Sequence, residues 1–253
     1  MLKVAAIQCR IGDLDSAEIL AEKALKDGAE IVLFPEYFSY TEINEEETNK
    51  TLNFLKNISR EYSAVLIGNA VVEDKGLRNR AFIYDSGEVV GFQDKMHPTE
   101  VEKSLGVVAG DRLRIFELRN AKLCILVCAD ILYPEICRVA GLKGVDIAFN
   151  PVVSLKYSEL PGRKFRYCLY FTRAFDNGYA LVKAGGFGRT FTGNIAVGRS
   201  LIVTFEGIVS EAKDEECEEA LVADIDIFKI REIRKKFYHL FNRNVKAYEE
   251  LLV

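Results

Sequence analysis

Apolar residues fall into two kinds of run along this chain. Short runs dominated by apolar residues, such as residues 2–8 (Leu-Lys-Val-Ala-Ala-Ile-Gln) and residues 30–34, read as strands. Between them, Ile19, Leu20, Ala24 and Leu25 recur at helical spacing over residues 16–26, and Gly28 stops the pattern. A second helix is predicted over residues 45–62. Strands at 64–72, 80–85 and 88–93 follow, with Ser86-Gly87 as the tight turn. Residues 95–111 fit no regular pattern, and a long loop in a compact domain is often functional. The second half repeats the order. Strands near 113–118 and 122–128 precede a helix at 134–143, a strand at 145–149, a helix at 162–177 and a strand at 179–184. Strands at 195–204, 207–212 and 220–225 complete it, and a charged helix occupies residues 224–238.

Each half thus reads strand–helix–strand–helix–strand and then a meander. One mixed sheet per half, with helices on one face, buries its apolar surface when sheet packs on sheet. The expected fold is α/β, a four-layer α-β-β-α sandwich of two mixed sheets with helices outside. Residues 1–253 read as a single domain, because no linker-like stretch divides them. The tail, about residues 239–253, is too short to build a core of its own and reads as a subunit contact.

Composition narrows the function. A net charge of −4 argues against nucleic acid as a main partner, since such binding rests on clustered positive charge. No apolar stretch reaches membrane-spanning length, and the N-terminus lacks the apolar core and cleavage site of a signal peptide. A cytoplasmic location is expected. The six cysteines form no Cys-x-x-Cys pair and read as reduced thiols. With two histidines, His97 and His239, and no zinc-type spacing, no metal and no cofactor are expected.

The chemistry gathers at Leu123-Cys124-Ile125-Leu126-Val127-Cys128-Ala129-Asp130. This apolar run ends in a thiol, and Pro134 marks the start of a helix soon after. Cys128 therefore belongs at the end of a strand, where open α/β sheets bind ligands. A lone cysteine in an apolar run is ordinarily a small core residue, and Cys124 fits that reading. Two other strand-like runs end in residues a thiol nucleophile can use: Glu36 after residues 31–34 and Lys95 after 88–93. Acyl transfer needs a nucleophile, a base and an oxyanion stabiliser. Thiol, carboxylate and ammonium can supply all three. Cys124 and Cys128, four apart on one strand, are expected to share a face, with Cys128 at the open end and its thiolate favoured by Lys95. Glu36 and Lys95 are expected in a cleft rather than in the core.

The sequence resembles the nitrilase, or carbon–nitrogen hydrolase, superfamily over nearly its whole length. The matching features are Phe34-Pro35-Glu36, Lys95-x-His97 and Cys128-x-Asp130 followed by Tyr133-Pro134-Glu135. Asn150-Pro151, Arg173 to Tyr179, Gly198-Arg199-Ser200 and Ala223 to Asp226 also fit. The resemblance implies a Glu–Lys–Cys site in which Glu36 is the general base, Cys128 forms a thioester, and Lys95 stabilises the oxyanion with the backbone N–H of Ala129. It also implies a second glutamate that positions substrate, Glu102 or its alternative Glu100. Tyr133 joins Glu102 and Ala129 as a substrate-side residue.

The chain has Ala129 where many members have Tyr, and Leu132 where many have Arg. Arg189 or Arg163 is a candidate replacement for that charge, and the Gly185–Arg189 loop is a candidate pocket wall. The implied activity is hydrolysis of a small linear amide with release of ammonia or amine. The alternatives are an N-carbamoyl amine or amino-acid hydrolase and a catalytically silent binding protein of the same fold. The resemblance further implies a homodimer or larger even-numbered assembly. Residues 134–143, the helix at 162–177 and the tail are its expected contacts. In that helix Phe165, Leu169 and Phe171 or Thr172 form one stripe, with Tyr167 and Tyr170 on adjacent faces.

Overall fold

The computed structural model describes residues 1–156, 163–238 and 240–252. One six-stranded sheet contains β1 (Leu2–Gln8), β2 (Ile31–Leu33), β3 (Val65–Glu73), β4 (Leu77–Asp85), β5 (Glu88–Asp94) and β15 (Glu219–Ile225), in the order β15-β1-β2-β3-β4-β5. The other contains β6 (Phe116–Leu118), β7 (Ala121–Ile125), β8 (Ile147–Val152), β10 (Ala180–Gly185), β13 (Leu201–Thr204) and β14 (Gly207–Glu211), in the order β14-β13-β10-β8-β7-β6. A small third sheet joins β9 (Ser154–Leu155), β11 (Gly188–Arg189) and β12 (Ile195–Val197). The helices are α1 (Leu14–Lys26), α2 (Glu45–Tyr62), α3 (Glu100–Ser104), α4 (Pro134–Leu142), α5 (Arg163–Asn177) and α6 (Ile227–Phe237).

The layers follow from strand parity. In β1, Val4 and Ala6 face the other sheet, while Ala5 and Ile7 face α1. In β8, Ile147 and Phe149 face inward and Ala148 packs toward α4 and α5. Both faces of each central strand are largely buried, so these strands are mainly apolar rather than strictly alternating. Burying one such side chain contributes about 1.5–3 kcal/mol, and the layer between the sheets gathers Ile31, Leu33, Val65, Ile67, Ile125, Ile147 and Val182. The result is the expected α-β-β-α sandwich.

Four local expectations need correction. The sheets do not divide by chain half: β15 crosses back and pairs antiparallel with β1 from Leu2↔Ile225 to Gln8↔Glu219. That pairing covers what would otherwise be an open edge of the β1–β2–β3 parallel core. Residues 195–204 are two strands in different sheets, β12 and β13. Between them Arg199 adopts φ 59°, and a Cβ on Gly198 would meet the Gln8 side chain at 2.2 Å. The loop after Lys95 contains α3, started by a capping box between Thr99 and Glu102. In α5, Tyr167, Tyr170 and Ala174 are the buried face, so its aromatic surplus largely covers the sheet. Leu169 and Phe171 are partly buried beside them, Phe175 is half-exposed, and the Phe165 and Arg163 side chains lie outside the described residues.

Candidate active site

Glu36 begins the turn that follows β2, Lys95 follows β5 directly, and Cys128 follows β7. The last differs from expectation. The strand stops at Ile125, and Cys128 opens a 3-10 turn, Cys128–Leu132, with φ 45°. A non-glycine residue at positive φ is strained, and such strain concentrates at functional sites. The break also separates the two thiols. Cys124 packs with α4 and α5 outside the sheet, whereas Cys128 packs toward the layer between the sheets.

The three side chains meet, together with Glu102. Lys95 Nζ donates to Glu36 Oε1 at 2.9 Å and to Glu102 Oε2 at 2.6 Å. Glu36 and Lys95 are each 2% exposed, yet both line a cavity, so they are deeply buried at its base. The Cys128 thiol lies 3.8 Å from the Val153 carbonyl oxygen, and Glu36 Oε2 accepts the Val153 N–H at 3.2 Å, so thiol and carboxylate share one residue as neighbour. Glu100, in contrast, is exposed and pairs with Lys103.

Glu102 is fully engaged. Its Oε2 also accepts from the Thr99 N–H at 2.8 Å and the Thr99 hydroxyl at 2.9 Å, and its Oε1 accepts from Tyr37 at 2.8 Å and Asn79 Nδ2 at 2.9 Å. A carboxylate offers roughly four lone-pair sites, and these contacts already use them. Asn79 Nδ2 also reaches Glu36 Oε1 at 2.8 Å, so one amide bridges both carboxylates. Asn69 orients it by donating to Asn79 Oδ1 at 2.9 Å.

The electrostatics follow from burial and pairing. Burial raises the Glu36 pKa above the usual carboxylate range, against the pull of Lys95. For Glu102 burial acts upward too, but Lys95 and the hydrogen bonds prevail and its pKa is lowered. Burial opposes the charge on Lys95, yet Glu36 and the other neighbouring negative groups hold its pKa above the ordinary lysine value. Cys128 is pushed upward by burial first and then by Glu36, with Lys95 opposing. Lys95 favours the thiolate as expected, but burial and Glu36 outweigh it and the thiol pKa is raised. Two carboxylates and one ammonium already leave one negative charge in excess. Moving the thiol proton to Glu36 keeps that total unchanged.

These residues open into a cavity of about 200 Å³, whose far wall includes Thr190, Phe191 and Asn194. A larger groove of about 760 Å³ lies by α6 and the tail, but it contains none of these groups. Ala129 sits at the start of the 3-10 turn, where a backbone N–H has no acceptor within the turn. Tyr133 is not part of the cavity wall; its ring stacks on His97 at 3.7 Å and is 45% exposed. Arg189 is exposed and contacts the Gly193 carbonyl oxygen, and the wall is formed by the turn after it rather than by Gly185–Arg189. Among the described residues no cluster of three or more His, Cys, Asp or Glu side chains could hold a metal, and no helix is long and apolar enough to cross a membrane.

Asn79, Tyr37 and Asn150 are site residues to which sequence reasoning gave no role. Asn79 had a readable signal, because it shares strand parity with buried Ala81 and Ile83. Asn150 Nδ2 donates to the carbonyl oxygens of Leu126 and Cys128, and the Tyr170 hydroxyl donates to Asn150 Oδ1 at 3.0 Å. Nothing local in the sequence connects those positions.

A family model for carbon–nitrogen hydrolases matches residues 3–235. The chain is 28% identical over 255 residues to a nitrilase of Pyrococcus abyssi, covering 92% of this chain and 93% of the relative. It is 23% identical to an omega-amidase of Saccharomyces cerevisiae, covering 99% and 96% of the two. Its fold is similar to that of a carbon–nitrogen hydrolase from Helicobacter pylori G27, with a TM-score of 0.86 at 22% identity and coverage of 99% and 98%. A mutant amidase from Nesterenkonia sp. AN1, with acrylamide added at its active-site cysteine, gives a TM-score of 0.83 at 20% identity, covering 99% and 100%.

Proposed function

Because the chain belongs to the carbon–nitrogen hydrolase family, we propose that it hydrolyses a small linear amide through a thioester on Cys128. Glu36 takes the thiol proton and the sulfur attacks the amide carbon. The oxyanion is stabilised by Lys95 and by the Ala129 N–H. Lysine has three donors; the two carboxylates use two, which leaves one for the oxyanion. Glu36 then gives its proton to the departing nitrogen, and the C–N bond breaks to release ammonia or amine. Water attacks the thioester with Glu36 again as base, the C–S bond breaks, and the proton returns to sulfur as the carboxylic acid leaves. Glu102 serves to hold Lys95 charged and in place, since its oxygens are filled by protein donors.

The observation that carries this reading is the convergence of Cys128, Glu36 and Lys95 on one cavity, with Lys95 Nζ 2.9 Å from Glu36 Oε1. The cavity of about 200 Å³ suits a small substrate. We read the whole chain as one hydrolase domain that works as a homodimer or larger even-numbered assembly. Exposed Phe175, Phe237, Phe241 and Tyr248 on α5, α6 and the tail support that contact. None of the six cysteines is in a disulfide, which fits a reducing cytoplasm. A panel of short amides, carbamoyl compounds and nitriles, assayed for ammonia release, tests the activity. Turnover of amides well above carbamoyl compounds and nitriles is expected. No release from any amide would overturn the proposal.

A further inference from the structure

Asp130 touches none of the reacting groups, yet its carboxylate is completely buried and ties together the two segments that carry them. Its Oδ2 accepts the Val127 N–H at 2.9 Å, from the residue immediately before the nucleophile. The same oxygen accepts the Met96 N–H at 3.4 Å, from the residue immediately after Lys95. Its Oδ1 accepts the His97 N–H at 2.9 Å and lies 2.8 Å from His97 Nδ1. His97 in turn stacks on Tyr133, where the 3-10 turn ends. One side chain thus receives donors from residues adjacent in sequence to both Cys128 and Lys95.

We infer that Asp130 is a positioning residue that sets the separation of the Lys95 ammonium from the Cys128 sulfur. This rests on the amide-hydrolase reading above and deepens it. Cys128 is held at φ 45°, a conformation that persists only where its surroundings over-determine it. The Val127 N–H bond to Asp130 braces the turn on one side, and Asn150 braces its carbonyl oxygens on the other. The same carboxylate fixes the strand exit that delivers Lys95. A carboxylate is suited to this because it is acceptor-only when ionised and can take donors from several directions. Asparagine is nearly isosteric but presents an amide NH2 donor on one side. That group would face the N–H donors of either Val127 and Met96 or His97. Relieving the donor–donor contact shifts one segment relative to the other.

Displacements on the scale of about 1 Å cost about a hundredfold in rate. Asp130→Asn is therefore expected to lower kcat about a hundredfold, with KM changed less than about threefold because the cavity wall is untouched. The acid limb of the pH–rate profile should stay where wild type has it, since Glu36 keeps its partners. His97→Ala removes the imidazole but keeps both backbone donors, so it should fold readily and lose about tenfold in kcat at unchanged KM. The test uses acetamide, propionamide and butyramide, with ammonia release and the rate of Cys128 acylation by rapid-quench intact mass. If wild type acylates and both variants, folded by thermal melt, acylate at the wild-type rate, the positioning role is overturned. The same result follows if the loss appears in KM alone. Should Asp130→Asn fail to fold, the His97→Ala measurement decides. Absence of wild-type turnover and acylation instead overturns the underlying amide-hydrolase reading.

Discussion

Replacing Lys95 by methionine tests how the site is held together. The substitution keeps the stem and removes an ammonium that lies 2.9 Å from Glu36 and 2.6 Å from Glu102. The two carboxylate side chains are 2% and 5% exposed, so neither reaches solvent freely. Breaking a buried pair by removing one partner costs about 3–5 kcal/mol, because the remaining charge is left uncompensated. For a chain of this size, 1 kcal/mol shifts Tm by about 2–4 °C, so a fall of about 6–20 °C is expected at neutral pH. The loss should depend on pH. Lys95 lowers the pKa of both glutamates, so its removal raises both in the folded state. A carboxyl group whose folded pKa lies above its unfolded value loses stability as pH rises from the unfolded to the folded pKa. The deficit of the variant should therefore be largest near pH 8 and shrink toward about pH 5, by about 1.4 kcal/mol for each tenfold change in proton affinity that protonation relieves. Turnover should fall by about a hundredfold to a thousandfold, as for loss of an oxyanion donor. Urea unfolding of both proteins across this pH range is the assay. A deficit that does not vary with pH, or no deficit at pH 8, would refute the reasoning.

Three further outcomes are expected. Glu36→Gln should cut kcat by at least about a hundredfold, and the acid limb of the wild-type profile, set by the raised pKa of Glu36, should lie above the ordinary carboxylate range; a variant with near-normal turnover removes Glu36 from the mechanism. Cys124→Ser should keep turnover because its sulfur lies on the helix side of the sheet, and iodoacetamide labelling of Cys128 should accelerate as pH rises, as a neutral resting thiol requires; preferential labelling of Cys124 contradicts the site. Truncation after Tyr238 should lower both assembly and activity, and a fully active monomer by light scattering would end the assembly proposal.

Strand parity and helical spacing made the sandwich readable, because residues such as Val4 and Ala5 declare opposite faces within β1. Helix α2 is the clearest case, with Asn44 capping it and the apolar stripe running to Tyr62. The crossing of β15 to the first sheet was not readable, since strand order depends on pairing between residues over two hundred positions apart. Glu36, Lys95 and Cys128 could be picked out because each lies at or just past the end of a strand-like run, and all three line one cavity. The state of the thiol was not, because it depends on burial and on Glu36 outweighing Lys95. Glu102 could not be separated from Glu100 until α3 turned one inward and the other to solvent. The parity shared by Cys124 and Cys128 failed for a local reason: the strand ends at Ile125 and Cys128 adopts a left-handed conformation.

The central claim is covalent catalysis by Cys128, and trapping the acyl-enzyme tests it most directly. The protein is mixed with the amide it hydrolyses fastest, quenched in acid within one turnover, and examined by intact mass and peptide mapping. The expected result is an acyl adduct on the peptide carrying Cys128, formed at least as fast as ammonia is released and absent from Cys128→Ala. Ammonia release without an adduct at Cys128, or turnover retained by Cys128→Ala, would contradict the claim.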